Sequence, residues 1–114
     1  MKLKPLFMII RDLIKQDFGK DLPISGGDGN SIDTPIVIHR KAGNKYVAME
    51  YFILQCLGEV RQIEWKLVQQ ALMEHHGRQI DQMKIETIQT TEHEVITKIE
   101  NYYFDITECI DQDD

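Results

Sequence analysis

Two short connections between apolar, β-branched runs constrain this chain more than any other feature. Lys41-Ala42-Gly43-Asn44 separates Pro35-Ile36-Val37-Ile38-His39 from a run over 45–54, rich in aromatic and β-branched residues. Thr90 to His93 separates a run over 79–89 from one over 94–107. Connections this short can close an antiparallel hairpin but cannot carry the crossover that a parallel pair needs. The sequence therefore predicts two hairpins, and most of the remaining residues must cover them.

Helical periods supply the cover. Leu6, Phe7, Ile10, Leu13, Ile14 and Phe18 recur every three or four positions, with Arg11, Asp12, Lys15 and Gln16 on the opposite side. That spacing predicts an amphipathic helix, with Pro5 in its first turn and Gly19 as its left-handed cap. Val60, Ile63, Leu67, Val68, Ala71 and Leu72 predict a second helix, closed by Gly77 after His75 and His76. The expected order is α-β-β-α-β-β. This is an α+β domain with a mostly antiparallel four-stranded sheet and both helices on one face. A chain of 114 residues supports one hydrophobic core, so residues 1–114 read as a single domain, with 111–114 as a frayed acidic tail.

Charge narrows the partners. Thirteen basic residues oppose nineteen acidic ones, giving a net charge of −6. Without a Lys/Arg-rich patch, phosphate neutralisation cannot supply affinity, so no nucleic-acid partner is expected. From residue 91 onward only Lys98 opposes the carboxylates, which suits a basic protein partner. No apolar run reaches the length of a membrane span, and Arg11 and Asp12 interrupt the basic-then-apolar start, so a cytoplasmic location is expected. Cys56 and Cys109 are too far apart to form a metal-binding pair. They are expected as buried, reduced thiols, and no cofactor is implied.

Candidate chemistry centres on residues 19–34, a long loop containing Ser25-Gly26-Gly27-Asp28-Gly29-Asn30-Ser31. Backbone at Gly26 and Gly27 could approach an anion closely, although the loop feeds a strand instead of the helix N-terminus that phosphate loops use. Asp28, Asn30 and Asp33 offer oxygens to a hard cation, but Ile32 stands where a calcium loop needs its third ligand. Adjacent helical positions point about 100° apart, so His75 and His76 are not expected to share a metal. His39 and His93 have no partner visible in the sequence. Neither cysteine looks activated for nucleophilic attack, and no G-x-S-x-G elbow is present. Glu64-Trp65-Lys66 has a nuclease-like carboxylate–lysine spacing but falls within helical periodicity. Arg78 and Asp81 read as a surface pair.

Two functions are compatible with this pattern. One is a non-enzymatic protein–protein interaction module, immunity-like or regulatory. It would meet a basic partner through an exposed sheet face carrying Glu92, Glu94, Glu100, Tyr102 and Glu108. The other is an enzyme or ligand-binding domain built on the Ser25–Ser31 loop. Asp28 and Asp33 would then handle a metal ion or anionic ligand, with a histidine nearby. A homodimer formed through paired hairpin edges is compatible with either.

Overall fold

The computed structural model describes residues 9–110. In chain order the elements are α1 (Ile10–Phe18), β1 (Ile24–Gly26), β2 (Ile36–Ile38), a 3₁₀ segment (Arg40–Lys45) and α2 (Tyr46–Arg61). They are followed by β3 (Glu64–His75), β4 (Arg78–Thr90), β5 (Val95–Asp105) and the single turn α3 (Thr107–Ile110). The strands form one mixed sheet in the order β1-β2-β5-β4-β3, antiparallel except where β2 runs parallel to β5. Together these elements make a single α+β domain.

One face of the sheet carries the core. Met83 and Ile85 of β4 lie opposite Tyr102 and Glu100 of β5, and Phe104 lies opposite Asp81. Ile10 and Ile14 of α1, Ile53, Leu54 and Leu57 of α2, and Ile36 and Ile38 of β2 pack into the same buried cluster. α1 ends as the sequence predicts: Gly19 takes φ +71°, and its N–H closes onto the Lys15 carbonyl. The part of the predicted helix before Ile9, and the acidic tail at 111–114, lie outside the described residues.

The structure corrects three expectations. Residues 46–61 are helix, replacing the strand expected over 45–54. Glu50, Ile53, Leu54, Leu57 and Gly58 are buried at helical spacing, and this outweighs the aromatic and β-branched bias of the segment. Residues 64–75 are strand where a second helix was expected. A β-bulge between Leu67 and Gln69 inserts Val68, so Trp65, Leu67, Gln70 and Leu72 face the same side as Thr87, Ile85, Met83 and Asp81. That extra residue shifts a period of two and imitates a spacing of three to four. Third, the sheet has five strands, because Ile24–Gly26, within the supposed loop, pairs with β2.

Candidate functional site

The glycine-rich segment is an ordered connection built around Asp28. Its Oδ1 accepts the Asn30 N–H at 2.9 Å and the Thr34 hydroxyl at 3.1 Å. Chiefly the Asn30 amide holds this carboxyl below its usual range. Asp28 is therefore spent on the turn, and Asn30 contributes its backbone. The glycines serve close packing. A Cβ on Gly26 would stand 2.5 Å from the Pro35 carbonyl oxygen, and one on Gly27 would stand 2.6 Å from that of Thr34. Gly27 donates its N–H to the Pro35 carbonyl, so this amide is not available to an anion.

On β1, Ile24 enters the core and the next side chain, Ser25, is exposed. Its Oγ lies 2.7 Å from His39 Nε2. On the other side of the ring, His39 Nδ1 lies 3.1 Å from Glu108 Oε2. The second Glu108 oxygen accepts the Arg40 N–H at 3.1 Å. Glu108 sits on α3, where the Asp105 carboxylate accepts both the N–H and the hydroxyl of Thr107 and so sets the turn. The Arg40 amide, then the His39 ring, hold the Glu108 carboxyl below its ordinary range. An ionised carboxylate can only accept, so Nδ1 donates to Glu108, and in the neutral ring Nε2 is then the acceptor for the Ser25 hydroxyl. Hydroxyl, imidazole and carboxylate thus form one directed chain. The His39 backbone is fixed as well: its N–H donates to Pro23 and its carbonyl accepts from Ala42. Pro23 and Ala42 also line a cavity of about 350 Å³ whose wall carries Lys41, Lys45 and the ion pair Arg11–Asp21.

A second cluster forms where the same connection meets the β3–β4 hairpin. Asp33 Oδ1 lies 3.0 Å from His75 Nε2. The hairpin turns through His76 and Gly77, at φ +52° and +79°, between the paired residues His75 and Arg78. Two positive φ angles in a two-residue loop are the type I′ geometry that matches strand twist. Because the turn begins at His76, the two imidazoles do not point to opposite faces; their centroids are 4.1 Å apart. Arg78, opposite His75, gives its Nε–H to the buried Asp105 at 2.8 Å.

The remaining sequence candidates lie elsewhere. Tyr102 is only 5% exposed, and its hydroxyl accepts from Arg61. Glu100 forms a two-pronged pair with Arg61 at 2.7 Å and accepts from Thr87. Both residues belong to the helix-covered side, because Tyr102 and Phe104 fix the phase of β5; this corrects their expected place on an exposed face. Glu94 is exposed at the tip of the β4–β5 hairpin. Lys66 pairs with Glu86 across strands, and Asp81 bonds Gln70, not Arg78. Burial pushes the Cys56 thiol up to about 11 and raises that of Cys109, as expected of unreactive thiols.

No protein-family model matches the chain, and neither the curated proteins nor the solved structures contain a match. The Ser25–His39–Glu108 chain escaped sequence reasoning because its histidine and glutamate are 69 residues apart. No local spacing signals such a set.

Proposed function

We propose that Ser25, His39 and Glu108 form an acyl-transfer centre and that this chain hydrolyses small activated esters. The observation that carries the reading is the unbroken Oγ–Nε2 and Nδ1–carboxylate chain at 2.7 and 3.1 Å. Triads are recognised by such geometry and roles, not by sequence order or fold. Ser25 Oγ attacks the ester carbonyl while its proton passes to His39 Nε2, and Glu108 stabilises the resulting imidazolium. As the C–O bond breaks, the proton moves to the departing alkoxide. Water then attacks the acyl-serine, again with His39 as base. Lys41 and Lys45 on the cavity beside the His39 backbone favour an anionic acyl group, while Arg11 there is paired with Asp21.

Hydrolysis of p-nitrophenyl acetate and labelling by a fluorophosphonate test the reading. Ser25→Ala abolishes labelling, and His39→Gln and Glu108→Gln each lower turnover by about 10²–10⁴. Equal labelling of the wild type and Ser25→Ala would sink the proposal.

A non-enzymatic interaction module for a basic protein is the second reading. It is favoured by Val95 and Ile99, which are 62% and 57% exposed on β5 at the hairpin that carries Glu92 and Glu94. Such a contact would associate more slowly as salt rises, and Val95→Lys with Ile99→Lys would abolish it without unfolding the chain.

A further inference from the structure

We propose that Asp33, His75 and His76 bind a divalent transition-metal ion of borderline softness, with Zn²⁺ as the reference ion. This site is separate from the Ser25 centre and does not depend on it.

The donor set sets the ion class. Two imidazoles and one carboxylate suit Zn²⁺, Co²⁺, Ni²⁺ or Cu²⁺, whereas Ca²⁺ and Mg²⁺ call for a shell of oxygens. The spacing agrees. One ligand atom from each residue lies within 4.8 Å of the other two, and the Asp33–His75 pair is at 3.0 Å. Ligands bound tetrahedrally at about 2.0–2.1 Å stand roughly 3.3–3.4 Å apart, so small side-chain rotations suffice.

The backbone brings these groups together before any ion arrives. Consecutive residues of a continuing strand would project to opposite faces of the sheet, but the positive φ at His76 turns its imidazole toward that of His75. Asp33 arrives from 42 residues away, and its segment is pinned. Its N–H donates to Ser31 Oγ at 3.1 Å, and the Thr34 N–H donates to the Ser31 carbonyl at 3.0 Å. The nearest cation on the hairpin is Arg78, which is tied to Asp105 and therefore does not oppose a bound ion with an uncompensated charge. Asp33 and His76 are exposed and His75 is half-buried, leaving coordination positions open to water or an external ligand.

Titration of the full, untagged chain with Zn²⁺ by calorimetry, and with Co²⁺ by visible absorption, tests the site. The expected result is one ion per chain, a Co²⁺ ligand-field spectrum, and no heat from Mg²⁺ or Ca²⁺. His75→Gln, Asp33→Asn and His76→Asn should each weaken Zn²⁺ binding by at least about tenfold. Asparagine accepts positive φ, so His76→Asn removes the imidazole while keeping the turn. His39→Gln and His93→Ala should bind Zn²⁺ as the wild type does. Wild-type affinity in any of the three ligand variants, or loss of binding in His39→Gln or His93→Ala, would overturn the assignment.

Discussion

Glu50 has no exposed surface, and neither of its carboxyl oxygens has a hydrogen-bond partner among the described residues. Burial, reinforced by nearby Asp81, pushes its carboxyl up to about 10. The native protein thus keeps a proton that the unfolded chain releases above the ordinary glutamate range. The resulting stability is complete below about pH 4.5 and is lost as pH rises toward 10, with a slope of at most about 1.4 kcal/mol per unit. Glu50→Gln keeps the shape and removes the ionisation. Urea unfolding between pH 5 and 9 should show a falling midpoint for the wild type and a flat one for the variant. An equal slope in both proteins would assign the titration elsewhere. Nothing local in Met49-Glu50-Tyr51 announces this burial, because it depends on α2 being a helix. Asp33 shows the reverse: its chemistry was legible in the loop composition, and only the approach of His75 depended on tertiary structure.

At the scale of elements, α1, the Gly19 cap, β2 and the β4–β5 hairpin could be read from period and turn chemistry. The α2–β3 region could not. Its aromatic and β-branched residues favour extended backbone although their burial is helical, and the Val68 bulge gives β3 a false helical phase. The bulge makes a test. Deleting Val68 leaves the facing of every other β3 residue unchanged and should cost about 1 kcal/mol or less by chemical denaturation. Deleting Leu72, equally exposed on the same strand, reverses one segment of β3 and should abolish cooperative unfolding. If both deletions were tolerated alike, the register would be wrong.

Across the whole molecule, α1 and α2 contribute to one buried cluster with the sheet, and the Ser25 and His75 centres rest on different strand pairs. Ser25 and Glu108 are bonded through His39, and His75 is bonded to Asp33. Distant, independent sites behave additively, and the Arg78–Asp105 pair between the β3–β4 hairpin and α3 is the link that a coupling would use. Zn²⁺ affinity should therefore be the same in wild type and Ser25→Ala, and fluorophosphonate labelling the same in wild type and His75→Gln. A change of more than about threefold in either cross-measurement would mean that the centres are coupled. The acidic composition foretold none of this layout. Net charge bears on solubility and encounter, whereas the placement of these groups follows from strand order.

The parallel contact of β2 with β5 also bears on how the chain reaches its native state. The β3–β4–β5 meander needs only neighbouring segments and can assemble early. Docking β2 must close a loop of nearly seventy residues, judged by the His39–Glu108 separation, and such closures delay folding. Ser25 and His39 come from the late-arriving half and Glu108 from beyond the meander. On the proposed acyl-transfer reading, Ser25 therefore gains its base and carboxylate only when the final seam is sealed.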